Sequence, residues 1–150
     1  MADFYDTDIA AWAEQQADAL RRRAANEIDW ENLAEEIEDV ARRDRDRIYG
    51  ALVTAITHLL KWQFQPEMRS GTWRSAVVRV RDRIAKLVKD SPSLRSYPTA
   101  AVPEAYPPAR RAAEAETGLA GLPASCPWTI CEVLDHGFWP SGEERQSPQA

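Results

Sequence analysis

From Trp30 onward the chain carries apolar residues at Leu33, Ile37, Val40, Ala41, Ile48, Leu52, Ala55, Ile56, Leu59 and Leu60. That spacing keeps a 3.6-residue period straight through the charged run Arg42-Arg43-Asp44-Arg45-Asp46-Arg47, where Asp44 holds the stripe position between Val40 and Ile48. Opposite charges three and four apart in that run suit a solvated helix face rather than a loop. Gly50 costs about 1 kcal/mol inside a helix, which alone does not break one. The pattern predicts one long helix over about 30–64, with a bend or break near Gly50 as the alternative. Pro66 ends it, because the residue before a proline is pushed out of the helical region. Such a helix is roughly 50 Å long at 1.5 Å per residue. A compact 150-residue monomer would not cover it fully, and the uncovered half would suit dimerisation.

The other elements follow from caps and stripes. Asp6, Thr7 and Asp8 open a helix whose apolar side is Ile9, Trp12, Ala13, Gln16, Ala17 and Leu20, closed by Arg21, Arg22 and Arg23. Ser70-Gly71-Thr72 caps a third helix over about 72–90, striped by Trp73, Val77, Val80, Ile84, Leu87 and Val88. Its other faces are basic. Pro98, Pro103, Pro107 and Pro108 are expected to interrupt the next helical stretch, leaving a helix that restarts at Pro108 and ends at Gly118. Thr129 and Glu132 form a capping box for a short helix in a Pro- and Trp-rich C-terminal segment. The predicted fold is all-α: a single helical-bundle domain over 1–140, followed by a disordered tail at 141–150.

Net charge is −5, so the chain as a whole does not attract phosphate backbones or anionic membranes. No apolar run reaches the roughly 18–20 residues that span a bilayer. The acidic, polar start MADFYDTDIAAWAEQQ is not a secretory signal, and the expected location is cytoplasmic. Cys126 and Cys131 do not suggest a disulfide framework.

Several motifs together resemble one family. Phe4-Tyr5-Asp6-Thr7-Asp8, the run DWENLAEEI from Asp29, His58 to Arg69 with Trp73, and Asp90-Ser91-Pro92-Ser93-Leu94 carry the first part of the likeness. Glu116-Thr117-Gly118-Leu119, Cys126-Pro127-Trp128 and Phe138-Trp139-Pro140 complete it, in order and over nearly the whole chain. On these motifs the sequence is similar to the DUF29 family of small helical bacterial proteins. The resemblance implies an all-α fold and a bacterial cytosolic setting, and it transfers no catalytic residues. The segment from Pro98 to Pro108 departs from the family pattern, which runs there as an unbroken amphipathic helix.

Four constellations could carry chemistry. The first joins Glu35, Glu36 and Glu38 to His58. On one continuous helix Glu35 and His58 lie roughly 35 Å apart, and no Glu-x-x-His pair occurs, so the plainer reading is a solvated acidic face and a histidine bonded beside the core. The second, His58, Lys61, Trp62, Gln65, Arg69 and Trp73, gathers at the corner after the long helix. Its aromatic rings and cations could bind a flat ligand or a partner, or could simply pack the turn. This is the candidate site. The third is the arginine-rich helix 74–89, which lacks interleaved aromatics for base stacking and has acids at hand to pair with. The fourth, Cys126, Cys131 and His136, lacks zinc-ligand spacing and reads as packed thiols. No phosphate loop or nucleophile motif is found, and no cofactor or metal is called for. The sequence therefore favours a non-enzymatic protein-interaction module that binds a protein partner or itself as a homodimer. A small-ligand, metal or enzyme role for the Lys61–Trp73 corner with His58 is the second reading, and nucleic-acid binding through helix 74–89 the third.

Overall fold

The computed structural model describes residues 4–141, so the tail expected at 141–150 lies, but for Ser141, outside the described residues. Among the described residues there are five α-helices and no strand: α1 (Ile9–Arg21), α2 (Trp30–Phe64), α3 (Gly71–Asp90), α4 (Tyr97–Thr117) and α5 (Ile130–Leu134). The all-α class follows directly. Helix α2 is continuous for 35 residues and passes through Gly50 unbroken. Short 3₁₀ turns at Ala25–Glu27, Pro66–Met68 and Pro92–Leu94 join the first four helices. The chain divides into two compact units between Arg43 and Asp44, so α2 gives its first part to one and its remainder to the other.

The first unit is a helical hairpin. Asp8 caps α1 by accepting from the Ala11 amide at 3.0 Å. Arg23, at φ 57°, takes the left-handed conformation that turns the chain out of α1. A polar lock then sets the entry to α2. The buried Trp12 donates its indole N–H to Asp29 at 3.3 Å, and the Asp29 amide donates to Gln16 Oε1 at 2.7 Å. Asp29 also accepts from the Asn32 side chain at 2.8 Å, and these bonds hold its carboxyl below the ordinary range. Further along, the Tyr5 hydroxyl donates to Glu36 at 3.1 Å and its ring meets Trp12 edge-on at 5.0 Å. That bond to Glu36, with desolvation and the nearby Glu35 and Asp39, raises the Tyr5 hydroxyl to about 12. Gln16 in the second half of α1 thus meets the entry to α2, while Tyr5 ahead of α1 meets Glu36 two turns into α2, an antiparallel arrangement.

The second unit holds the larger core. Ile48, Leu52, Ile56, Leu59 and Leu60 of α2 pack with Val77 and Ile84 of α3, with the alanines of α4, and with Trp128 and Val133 near the C-terminus. Two buried polar groups are satisfied across this core: Trp128 donates to Gln63 Oε1 at 3.2 Å, and Tyr106 donates to the Pro123 carbonyl at 2.6 Å. Burial, with the Cys126 thiol nearby, pushes the Tyr106 hydroxyl up to about 12.

Helix α4 corrects the expectation of an interrupted helix. It runs unbroken from Tyr97 to Thr117 with Pro103, Pro107 and Pro108 inside it, and ends at Gly118 in the left-handed conformation as expected. Each internal proline removes an amide and frees the carbonyl four residues earlier, a cost of about 3 kcal/mol in an isolated helix. Placement explains why the helix survives. Pro103 and Pro107 stand four apart on the exposed face, where water can satisfy the freed carbonyls. Pro108 frees the Glu104 carbonyl, and the Tyr49 hydroxyl of α2 donates to that oxygen at 3.3 Å. On the opposite side Ala101, Ala105, Ala109 and Ala113 form a fully buried small-residue stripe against the core.

The substitution Tyr49→Phe is expected to cost about 0.5–1 kcal/mol in the natural background. In a Pro108→Ala background the restored amide bonds Glu104, and the same substitution is expected to cost less. Urea denaturation of the four proteins measures the coupling, and equal costs in both backgrounds would remove the hydroxyl from this role.

Candidate functional site

The corner between α2 and α3 is set by chain punctuation. Pro66 starts the 3₁₀ turn, and Ser70 caps α3 by accepting from the Trp73 amide at 3.3 Å. His58, Lys61 and Trp62 stand three and four apart on one face of α2, and Gln65 follows just past its end. Their side chains nonetheless engage different partners. The His58 Nδ1 lies 2.8 Å from the Thr54 carbonyl, within its own helix. Since a carbonyl only accepts, Nδ1 carries a proton in this arrangement. Gln65 donates to the Thr117 carbonyl at 3.5 Å, near the end of α4. Lys61 is buried; its ammonium is 2.6 Å from the Glu116 carboxylate and 4.5 Å above the Trp73 ring. Arg69 donates to the Trp62 carbonyl at 2.8 Å, closing the end of α2, and to the Pro140 carbonyl at 3.4 Å.

A ladder of cations and indoles continues from there. The Arg69 guanidinium lies 5.0 Å from the Trp62 ring, and Trp62 meets Trp139 at 4.9 Å. Arg74 reaches both rings, at 5.8 and 4.6 Å, and Arg81 lies 5.0 Å from Trp139. Such contacts contribute about 0.5–1 kcal/mol when exposed and about 2 when desolvated. Lys61, Trp62, Arg69 and Trp73 thus meet near one another, each engaged inside the fold. Two cations of the basic helix, Arg74 and Arg81, are engaged in the same way.

Arg81 is the residue that sequence reasoning missed. It is 2% exposed, and its guanidinium donates to the Val133 carbonyl at 2.8 Å, Phe138 at 2.9 Å and Glu132 at 3.4 Å. The Asp135 amide serves the Cys131 and Glu132 carbonyls at the end of the five-residue α5, and Arg81 supplies a donor from α3 to the Val133 carbonyl beyond them. Burial lowers the Arg81 pKa from its ordinary value, and the charge of Asp135 opposes that shift. The signal was in the sequence: Arg81 lies four after Val77 and three before Ile84, on the apolar stripe itself. The Thr129–Glu132 capping box opens α5 as expected.

Two of the surface depressions outside the corner, one from each unit, carry aliphatic side chains along their walls. In the second unit Ile84, Val88, Pro98, Ile130 and Leu134 wall a cleft of about 390 Å³ that also meets Arg81, Arg95, Cys131 and His136. In the first unit a groove runs between α1 and α2, lined by Ile9, Ala13 and Leu20 on one side and Leu33, Ile37 and Val40 on the other. Ile37 and Val40 are 63% and 60% exposed there. Among the described residues, no cluster of three His, Cys, Asp or Glu side chains is placed to hold a metal ion, and no helix is long and apolar enough to cross a membrane.

A hairpin that shares a 35-residue helix with a proline-bearing helical core defines the chain as an all-α protein of distinctive layout. The chain belongs to the DUF29 family, whose model, described as a domain of unknown function, matches residues 4–139. No curated protein and no solved structure matches it.

Proposed function

We propose that this protein is a non-enzymatic interaction module of the bacterial cytosol that pairs with a second copy of itself through the α1–α2 groove. The observation that carries this reading is the row of half-exposed apolar side chains, Ile9, Leu20, Ile37 and Val40, on a two-helix unit. Two helices cannot enclose a core between them, and a unit of about 40 residues buries too little apolar surface to stand alone. Two antiparallel hairpins laid groove to groove form a four-helix bundle, which buries both stripes at once. The groove residues stand three, four and seven apart on each helix, the spacing that such a bundle requires.

Charge favours a second copy over a foreign helix. The groove is edged by Glu36 and Arg43, which already approach each other at 3.5 Å. A two-fold axis sets residue i against j and j against i, so an edge bearing both signs is complementary to itself. The ligand-binding reading of the Lys61–Trp73 corner is weaker, because its cations and indoles already face partners within the chain. Helix 74–89 likewise commits Arg74 and Arg81 internally, which weakens the nucleic-acid reading.

Sedimentation equilibrium across a wide concentration range is expected to give twice the chain mass at the upper end. The double variant Ile37→Glu, Val40→Glu is expected to stay monomeric with unchanged helical circular dichroism, because both side chains are already exposed in the single chain. A natural-sequence protein that remains monomeric at every concentration would overturn the proposal.

A further inference from the structure

The cleft of the second unit has the makings of a binding site distinct from both the groove and the corner. It draws on three helices and one connecting turn: Ile84 and Val88 from α3, Arg95 before α4, Pro98 from α4, and Ile130 and Leu134 from α5. Its volume of about 390 Å³ falls within the range of small-molecule pockets. The walls are aliphatic and would receive an apolar body. The charged groups are unevenly committed. Arg95 is exposed and makes no ion pair among the described residues. Arg81 is 98% buried by its 2% exposure and keeps Nη1 buried with no hydrogen-bond partner among the described residues, although its other donors are used. His136 lies 3.0 Å from the Asp82 carboxylate.

We infer that this cleft binds an amphipathic monocarboxylate, its apolar tail against Ile84, Val88 and Leu134 and its carboxylate on the Arg95 guanidinium. A guanidinium matches a carboxylate with two parallel N–H donors, and an apolar wall beside it selects for a ligand with both characters. A compact dianion such as phosphate finds no use for the aliphatic walls. A neutral alcohol of equal length would fill the walls but leave Arg95 unanswered.

The test titrates the full chain with decanoate, decanol and inorganic phosphate by calorimetry. Decanoate is expected to bind at one site per chain, and the other two at least tenfold more weakly. Arg95→Gln, an exposed position whose substitution leaves the fold intact, is expected to weaken decanoate about tenfold, the equivalent of one charge-assisted hydrogen bond. Ala85→Phe, which places a ring in the cleft from an exposed lining position, is expected to abolish binding. Cys131 offers a second readout, because its thiol is exposed and its residue lines the cleft. Its alkylation by iodoacetamide, followed by peptide mass, is expected to slow in decanoate and not in phosphate. Equal binding of decanol or phosphate would overturn the assignment. So would an absence of decanoate binding, or decanoate binding indifferent to both substitutions.

Discussion

Replacing Arg81 with methionine is expected to destabilise the protein by about 3–5 kcal/mol, because several carbonyls lose a charged donor at about 1–3 kcal/mol each. Methionine preserves much of the volume, so packing loss is small and the effect isolates the hydrogen bonds. Three carbonyls, those of Val133, Phe138 and Glu132, lose a charged donor. Buried acceptors left without partners cost about 1–3 kcal/mol each, and the loop beyond α5 can relax to recover part of that. Arg81→Lys keeps the charge but has no planar fork, and is expected to retain most of the loss. Urea denaturation followed by tryptophan fluorescence reads both variants, since Trp139 lies beside the guanidinium. A cost for Arg81→Met below about 1 kcal/mol, the worth of a single ordinary hydrogen bond, would show that the C-terminal segment is held by its apolar contacts instead.

The same residue shows where sequence reading reaches and where it stops. Periodicity placed α2 over about 30–64, because the 3.6-residue stripe is sustained from Trp30 to Leu60 and Pro66 supplies a hard stop, while the bend left open near Gly50 does not occur. The caps at Asp8, Ser70 and Thr129 were equally legible, since each is a local side-chain-to-amide bond. Arg81 was not, because an arginine on a basic helix reads as one more solvated charge. Only the fold reveals that three carbonyls from the C-terminal segment converge on it. The indole ladder of Trp62 and Trp139 joins residues 77 positions apart, which no local pattern can disclose.

The prolines of α4 were misread for a related reason. Propensity counts the lost amide but not what lies opposite the freed carbonyl, nor the packing on the far face. That packing can be tested directly. Ala109→Leu is expected to destabilise the protein by about 1–3 kcal/mol, the usual cost of forcing a larger side chain into a filled core. Ala109 is fully buried, and the Thr57 hydroxyl of α2 reaches its carbonyl at 3.4 Å, so the two helix backbones approach closely there. A leucine has no room without driving them apart. The exposed Ala100 on the same helix is the control, and Ala100→Leu is expected to change stability by less than about 0.5 kcal/mol. Alanine and leucine differ little in helix propensity, so the contrast between the two positions reports packing alone. Equal, small effects at both would mean that the alanine stripe is not what holds a proline-bearing helix together. The stability of α4 would then have to come from Tyr49 and hydration of its exposed face.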